Sequence, residues 1–328
     1  QLLVPMRIPY VHWNVSSIYK IKVHNRSHSF AKTYAKEWLL SKMGIREVKA
    51  LELRNLVVYI EQEKFTPENY ECQMAYLGQI MPSFEQVLFL KHDNMASLFL
   101  MENMAESICL TTSPELAKQM QGLGMAVLGF QIEKDEMLQA SYVVLGLEQV
   151  TYDDFLRVFQ RFHGIPWHIL ETKRCQIREF GMDDLDALYA LYEQPHVTDF
   201  IEPLYAYAQE REYEQNYIER IYGFYGFGMW LVFEKETGRL IGRAGLEYRE
   251  PCEEGEVELG YLITPSHWHK GYATEVCQAI LSYAKEELSM ERIVSHVHLK
   301  NDASRHLLEK LGFLGEQKED EWIYSYDL

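Results

Sequence analysis

The stretch HWHKGYATEV, residues 267–276, combines residue types that could bind a metal ion or an anion. His267 and His269 are two residues apart, and so are His296 and His298, a spacing that places both rings on one face of an extended strand. A zinc site needs at least three protein ligands, and no third ligand accompanies either pair. We therefore predict no metal site.

Apolar residues spaced by three and four follow this stretch and indicate a helix that begins near Gly271. They are Ala273, Val276, Cys277, Ile280, Leu281, Ala284 and Leu288. The first amides of a helix have no intrahelical partner, and the helix dipole adds positive charge there. With Lys270 beside it and a glycine that lets an anion approach the backbone, this start predicts a phosphate-binding turn.

Four motifs in one order carry a family resemblance across residues 256–315. They are E-L-G-Y on a strand, W-x-K-G-Y-A-T-E at the turn, N-x-x-S, and E-K-L-G-F. The segment resembles the acetyl-CoA-binding core of the GNAT N-acetyltransferase superfamily, specifically the branch that contains ribosomal-protein alanine N-acetyltransferases. With weaker flanks, the resemblance covers residues 173–328.

The resemblance implies that acetyl-CoA is the cosubstrate. Backbone amides of the turn would hold its pyrophosphate, two residues at the end of a splayed strand would pair with the pantetheine arm, and an asparagine would hydrogen-bond it. The amides that would hold the pyrophosphate are those of His269, Lys270, Gly271, Tyr272, Ala273 and Thr274. Leu262 and Ile263 would pair with the pantetheine arm, and Asn301 would hydrogen-bond it. His269 departs from the family, which usually has a second glycine there.

The implied reaction is direct attack of a neutral amine on the acetyl thioester. Deprotonation at pH 7 costs about 4.6 kcal/mol of free energy for a lysine-like ammonium and about 1.4 kcal/mol for an α-ammonium. A general base is therefore useful. Glu258 occupies the strand position that this branch uses for the base, although it could also be a solvated carboxylate in the acidic run EEGEVE. The amide near Leu262 could stabilise the oxyanion.

Protonation of the leaving thiolate is less clearly assigned. Many GNAT enzymes have a tyrosine seven residues after the asparagine, and this chain has Leu308 there. Ser304 is the substitute we predict; otherwise it caps or packs the helix. A thiolate with a pKa near 8.5 can also leave unassisted.

The acceptor is expected to be a primary amine, either a protein N-terminus or a small cationic molecule. Aromatic residues in the region that shapes the acceptor pocket in GNAT enzymes are candidate contacts: Tyr217, Tyr222, Phe224 and Tyr225. The alternative hypothesis is an acyl-CoA-binding sensor or partner-binding module without transfer activity; Leu308 leaves this open, whereas Glu258 speaks against it.

The charge distribution favours a cationic partner. Residues 1–170 carry 16 Lys+Arg against 18 Asp+Glu, a net of −2, and residues 171–328 carry 16 against 31, a net of −15 of the total −17. Such a field repels nucleic acid, although it also serves solubility. The five cysteines are scattered and form no CxxC motif, which predicts a cytoplasmic protein. The chain has no long apolar run, and Pro5 and Pro9 interrupt its apolar opening, so we predict neither a leader nor a membrane anchor.

The length of 328 residues and the element pattern predict two α/β domains. Residues 171–328 read as βααβββαβαββ, a mixed, largely antiparallel sheet with helices on both faces, as in a GNAT fold. Residues 1–170 read as a smaller α/β domain with predicted helices at 29–44 and 66–81 and, at 107–130, a βαβ unit with parallel strands. Within this half, IPWHILETKRC is expected to be a connector to the second domain.

Residues 85–150 also show a weak resemblance to haloacid-dehalogenase-like phosphatases. That chemistry needs a nucleophilic aspartate with a second aspartate two residues later. The nearest match is Asp93-Asn94-Met95, which lacks the second acid. A structural, regulatory or partner-binding role is the stronger expectation for this half.

Overall fold

The computed structural model describes residues 51–91, 103–132, 138, 140–248 and 257–328, which form two β-sheets with helices. The first sheet has the order β2-β1-β3-β4-β5, and all its strand pairs are parallel. Its strands are β1 Asn55–Tyr59, β2 Gln86–Phe89, β3 Ser107–Thr111, β4 Ala126–Phe130 and β5 Tyr142–Val144.

Within the described ranges, three helices accompany this sheet: α1 Pro67–Ile80, α2 Pro114–Gly122 and α3 Tyr152–Phe162. The Thr66 and Ser113 side chains cap α1 and α2 by accepting from Asn69 N and Leu116 N, both at 3.3 Å. Strands β1, β3 and β4 are buried along their whole length, because α1 and α3 cover one face and α2 covers the other. The predicted βαβ unit is confirmed.

Two predictions for the first half concern residues outside the described ranges. The helix at 29–44 and the triplet Asp93-Asn94-Met95 lie outside the described residues.

The second sheet has eight strands in the order β12-β13-β11-β10-β9-β8-β7-β6. They are β6 His168–Glu171, β7 Cys175–Arg178, β8 Met229–Glu234, β9 Leu240–Glu247, β10 Val257–Ile263, β11 Arg292–His298, β12 Leu314–Gln317 and β13 Glu321–Asp327. Within the described part of the chain every pair is antiparallel except β10 with β11. The predicted mixed, largely antiparallel sheet is confirmed.

The expectation of a plain connector at IPWHILETKRC was wrong. His168–Glu171 is an edge strand of the second sheet and pairs with β7 across a bulge. The domain boundary predicted after residue 170 falls inside this strand.

In the part of the chain that the structure describes, four helices of at least eight residues cover the second sheet: α4 Leu185–Tyr192, α5 Tyr207–Tyr217, α6 Tyr272–Glu286 and α7 Asp302–Leu311. Helix α5 continues as a π-helical turn, Ile218–Tyr222, and ends in a short helical turn at Gly226, where φ is +73°. Arg243 of β9 pairs with Glu214 of α5, and Tyr261 of β10 bonds to Ser304 of α7. Because Arg243 and Tyr261 point to opposite faces, these helices cover different sides of the sheet.

An ion pair joins α3 to the second sheet. Arg161 donates to both carboxylate oxygens of Glu179, at 2.9 and 2.7 Å, and its guanidinium lies 4.1 Å from the centre of the Trp167 ring. Glu179 is fully buried, and burial raises its pKa even though Arg161 opposes the shift. A largely buried ion pair therefore connects α3 to the residue that follows β7.

No helix within the described ranges is both long and apolar enough to cross a membrane.

Candidate active site

The centre of the second sheet contains a fork between its two parallel strands. Strands β10 and β11 pair at two positions, Val257 with Ile293 and Glu258 with Val294. Beyond these positions the strands separate, although β10 continues to Ile263 and β11 to His298. Strand β10 stays paired with β9 as far as Ile263. Leu262 and Ile263, predicted to lie on a splayed strand, are therefore beyond the fork, where β10 has lost its partner on one side.

Glu258 lies at the point where the strands separate. Its carboxylate accepts a hydrogen bond of 3.2 Å from the backbone amide of His296, and the side chain is half-buried. A carboxylate placed between two diverging strands can accept a proton from a group that enters the fork.

The predicted phosphate-binding turn connects β10 to α6. Helix α6 begins at Tyr272, one residue after the predicted start, with Gly271 as N-cap at φ +80°. No side chain caps the helix, and its first backbone bond runs from Glu275 N to Gly271 O. The amides at the helix start, including those of Ala273 and Thr274, can thus face an anion.

His269, where the resemblance implies a glycine, has a glycine-like backbone conformation. Its φ is +57°, in the left-handed region that glycine adopts without strain, and its side chain is exposed. Histidine is among the non-glycine residues enriched in this region. The substitution therefore keeps the glycine-like course of the turn.

Contacts on both sides hold the turn in place. The Trp268 indole nitrogen donates to Ile263 O at 2.6 Å, and Lys270 Nζ donates to Ser266 O at 2.7 Å. The Lys270 ammonium thus closes the turn and lies at its exposed surface.

Arg174, in the turn before β7, joins the same structure. It donates from Nε to Glu275 Oε2 at 2.7 Å and from a guanidinium nitrogen to Lys270 O at 2.9 Å. Its guanidinium carbon also lies 3.9 Å from the centre of the Tyr272 ring. The Tyr272 hydroxyl donates to Glu234 at 2.6 Å, and this bond is the main cause that holds the pKa of Glu234 below its ordinary value.

The paired histidines have separate contacts. His267 Nδ1 lies 2.8 Å from Thr264 Oγ1, and its Nε2 lies 3.4 Å from Glu234 Oε1. His296 Nδ1 lies 3.1 Å from Glu321, and His298 Nδ1 accepts from Lys300 N at 3.1 Å. Across the described ranges, no three His, Cys, Asp or Glu side chains form a group that could hold a metal ion.

The start of α7 lies across the fork from β10. Asn301 Oδ1 caps the helix by accepting from Ser304 N at 3.1 Å, which leaves its side-chain amide nitrogen as the group that can donate to a ligand. Ser304 is partly buried, and its carbonyl accepts from the Tyr261 hydroxyl at 3.3 Å. Leu308 is fully buried in the core, and its side chain has no proton to donate to a thiolate.

The predicted acceptor-contacting residues divide into two pairs. Tyr217 and Tyr222 are buried and fix Met229 at the start of β8: Met229 N donates to the Tyr217 hydroxyl at 2.8 Å, and the Tyr222 hydroxyl donates to Met229 O at 2.5 Å. Phe224 and Tyr225 are 76% and 40% exposed. Only the second pair offers ring surface to solvent.

Sequence reasoning missed Glu247, the last residue of β9. It lies directly opposite Glu258 in the antiparallel pair and accepts a hydrogen bond from the Tyr217 hydroxyl. Burial, and to a smaller extent the charge of Glu258, raises its pKa against the effects of Tyr217 and Arg243. The available signal was the run RLIGRAGLE, in which the charged residues Arg243 and Glu247 are four apart and so share one strand face.

Comparisons with known proteins match the second half of the chain. Residues 174–314 match the family model described as an acetyltransferase (GNAT) domain. The uncharacterized N-acetyltransferase YoaA of Bacillus subtilis (strain 168) is 30% identical over 48% of this chain and 89% of its own length. The uncharacterized N-acetyltransferase p20 of Bacillus licheniformis is 32% identical over 45% of this chain and 83% of its own length.

Among solved structures, the ribosomal-protein-S5-alanine acetyltransferase of Vibrio fischeri matches with a TM-score of 0.41 and 19% identity, over 48% of this chain and 95% of that chain. The haloacid-dehalogenase resemblance of residues 85–150 is not shown by these comparisons.

Proposed function

Since the chain belongs to the GNAT acetyltransferase family and is an N-acetyltransferase, we propose that it transfers the acetyl group of acetyl-CoA to a primary amine, with Glu258 as general base. The observation that carries this proposal is the position of the Glu258 carboxylate at the fork between β10 and β11. The acceptor is a protein N-terminus or a small cationic amine, which the net charge of −15 over residues 171–328 favours.

The cosubstrate is proposed to bind along β10 and the turn that follows it. The amides from His269 to Thr274 hold the pyrophosphate, because the helix start leaves them to face an anion and the dipole of α6 adds positive charge. Leu262 and Ile263, unpaired on the fork side, bond to the pantetheine arm, and the Asn301 amide nitrogen donates to it.

The reaction begins when Glu258 takes a proton from the acceptor, directly or through water. The nitrogen lone pair then attacks the carbonyl carbon of the thioester, so a C–N bond forms while the C–S bond breaks. The amide near Leu262 stabilises the oxyanion. Ser304 protonates the departing thiolate, or the thiolate leaves unassisted.

The test measures thiol release from acetyl-CoA with a panel of alkyl amines, polyamines and peptides with free or blocked N-termini, with products identified by mass spectrometry. We expect at least one free amine to raise the rate well above hydrolysis. The Glu258→Gln variant is expected to lower kcat by about 10²- to 10⁴-fold, the range for loss of a general base. Glutamine keeps an oxygen that can accept from His296 N, so the fork stays intact.

Glu286→Gln, at the exposed far end of α6, is the matched control and should leave kcat unchanged. Full activity of Glu258→Gln would contradict the proposed base. If acetyl-CoA binds and no amine raises thiol release, the chain acts as an acyl-CoA-binding module instead.

A further inference from the structure

Arg161 of helix α3 contacts residues from both halves of the chain. Its Nε donates to the Tyr142 hydroxyl, on β5 of the first sheet, at 3.4 Å. Its two terminal nitrogens donate to the two carboxylate oxygens of Glu179, which directly follows β7 of the second sheet. All three guanidinium nitrogens are therefore engaged, an arrangement that suits the planar fork of arginine.

The ion pair of Arg161 with Glu179 lies in the interior. Glu179 is fully buried, and the Arg161 side chain is 12% exposed. The backbone amide of Trp167 also donates to Glu179, at 3.1 Å. Removing two charges from water is costly, and replacing such a pair by apolar residues is often neutral or stabilising. The pair is therefore better explained by the geometry that it fixes than by the stability that it adds.

The residue that the pair fixes is Tyr222, at the end of the π-helical turn. Arg161 donates to Tyr222 O at 3.5 Å, and its guanidinium carbon lies 5.8 Å from the centre of the Tyr222 ring. The residue after Glu179 contacts the other end of the same tyrosine, because Phe180 N donates to the Tyr222 hydroxyl at 3.2 Å. The ion pair thus holds the Tyr222 carbonyl directly and its hydroxyl through the adjoining residue.

The π-helical turn is an element that such support can stabilise. It comprises Ile218–Tyr222, close to the C-terminal end of the helix that begins at Tyr207 and ends at Gly226. Turns of this kind are rare and occur frequently at functional sites. The helix dipole favours a cation at the C-terminal end, where the Arg161 guanidinium lies. A side chain of the first half therefore supports a turn of the second.

Tyr222 in turn fixes Met229 at the start of β8. The Tyr222 hydroxyl donates to Met229 O, and Met229 N donates to the Tyr217 hydroxyl. Met229 is the direct partner of Gly245 on β9, which is the direct partner of Gly260 on β10. Direct partners lie on the same face of a sheet, so all three residues share one face.

The Met229 side chain reaches across β9 to the fork between β10 and β11. A Cβ built on Gly260 would lie 3.0 Å from the Met229 sulfur, and one built on Gly245 would lie 2.8 Å from Met229 Cα. The two glycines therefore leave the space that the thioether occupies. Gly260 lies two residues after Glu258, on the same strand face and beyond the last pair of β10 with β11. Met229 thus forms one wall of the fork on the face of the proposed base.

We infer that Arg161 is a positioning residue for the acceptor site: through Tyr222 it fixes the π-helical turn and the Met229 wall of the fork. Helix α3 of the first half thereby contributes to acetyl transfer without contacting the reacting atoms. This inference rests on the proposed function, because it concerns the acceptor site of that same reaction.

The first test measures both KM values of Arg161→Lys in the full chain, with the amine of the panel that the wild-type chain acetylates most efficiently. Lysine keeps a positive charge opposite Glu179, but one ammonium group cannot reproduce the planar set of bonds to Tyr142, Glu179 and Tyr222. We expect the acceptor KM to rise about tenfold, with the acetyl-CoA KM unchanged. A smaller folded fraction would lower only the apparent kcat, so a purely structural role would not move the acceptor KM.

A paired substitution covers the case in which Arg161→Lys does not fold. Arg161→Met combined with Glu179→Gln removes both charges, so no unpaired charge remains in the interior. The glutamine oxygen can still accept from Trp167 N. This double variant should show the same rise in acceptor KM.

Arg157→Met is the matched control for both variants. Arg157 lies one turn earlier on α3, and its guanidinium carbon lies 5.3 Å from the centre of the same Trp167 ring. The substitution thus removes a comparable cation from the same helix. It should leave both KM values unchanged.

Hydrogen–deuterium exchange measured by mass spectrometry reports on the positioning without any acceptor. Backbone amides of residues 218–229 should exchange faster in the Arg161 variants than in the wild-type chain, because the turn and Met229 lose a support. Peptides from α6, Tyr272–Glu286, should exchange at the wild-type rate.

A double-mutant cycle tests whether Arg161 acts through Tyr222. Tyr222→Phe removes the hydroxyl that bonds Met229 O and should itself raise the acceptor KM. If both residues act on the same turn, the combination of Arg161→Lys with Tyr222→Phe should raise the acceptor KM by less than the product of the two single factors. A rise equal to the full product would overturn the route through Tyr222.

The outcomes separate this inference from the proposed function. If no amine raises thiol release in the wild-type chain, the proposed function fails, and exchange at residues 218–229 still decides whether Arg161 positions the turn. If the wild-type chain acetylates amines but both Arg161 variants keep the acceptor KM within about twofold, the positioning role is overturned. Wild-type exchange at residues 218–229 in both variants would overturn it as well.

Discussion

The two ends of strand β10 belong to sites built from different parts of the chain. At the end near Ile263, the candidate cofactor site consists mainly of backbone amides from one continuous segment, β10 through the start of α6, to which the Asn301 side chain is added. At the end near Glu258, the candidate acceptor site uses side chains from β9, β10 and α5. A site of backbone amides depends on φ and ψ, whereas a site of side chains depends on strand register and charge. Substitutions should therefore separate the KM values of the two substrates.

The largest expected difference between the effects on the two KM values comes from Gly271→Val. Gly271 has φ +80°, and a Cβ there would meet Arg174 no closer than 3.6 Å, so the cost comes from conformation, not from a clash. A β-branched residue in this region carries about 1–3 kcal/mol of strain, which would turn the amides of the helix start away from the pyrophosphate. We expect steady-state kinetics to show an acetyl-CoA KM about 10- to 100-fold higher, with the acceptor KM unchanged.

Gly164→Val is the matched control for this prediction. Gly164 also has a positive φ, +66°, with nothing near a built Cβ, but it lies between α3 and β6. The Gly164→Val variant should be less stable than the wild-type chain and should keep its acetyl-CoA KM. Equal changes in KM for both substrates of Gly271→Val would remove the distinction between the two ends of β10.

The same difference explains how much of the site the sequence predicts. The contacts that close the turn, begin the helix and cap α7 with Asn301 are local in sequence, so periodicity and motif order identify these elements, although the supports from Arg174 and Glu234 are distant in sequence. The pairing of Glu247 with Glu258 depends on the register of β9 against β10, and a slip of one residue would turn either side chain to the other face. Local sequence does not determine that register.

The acceptor side also contains a π-helical turn, and the burial of the rings after it depends on packing. The chain passes from α5 into a π-helical turn at Ile218, which changes the direction of the side chains that follow relative to an uninterrupted α-helix. Tyr222 therefore lies in the core, while Phe224 is exposed. Such a turn is set by the packing of the rings against β8, and the helical period does not predict it.

A smaller effect is expected from Arg174→Ala, which removes a support of the turn and leaves its amides in place. Arg174 is about one-third exposed, so solvent weakens its ion pair with Glu275. The loss of its bond to Lys270 O and of its contact with the Tyr272 ring should raise the acetyl-CoA KM about threefold. Isothermal titration of CoA should show the same change in Kd.

Lys235→Ala is the control for this substitution, because Lys235 forms a similarly exposed pair with Glu171 at the sheet edge and does not contact the turn. Its CoA affinity should match that of the wild-type chain. If the Arg174 variant changes the acceptor KM as strongly as the acetyl-CoA KM, the turn and the acceptor site are coupled.

The smallest expected effect belongs to His269, where a side chain occupies a glycine conformation. His269→Gly should raise the free energy of unfolding by up to about 1 kcal/mol relative to His269→Ala, because at φ +57° a Cβ is strained and glycine is not. Urea denaturation of the two variants measures this difference. If the imidazole contacts no phosphate, both variants should keep the acetyl-CoA KM of the wild-type chain. A matched rise in KM for both would mean that the imidazole itself contributes to binding, which would add a second side chain, besides Asn301, to a site made mainly of backbone amides.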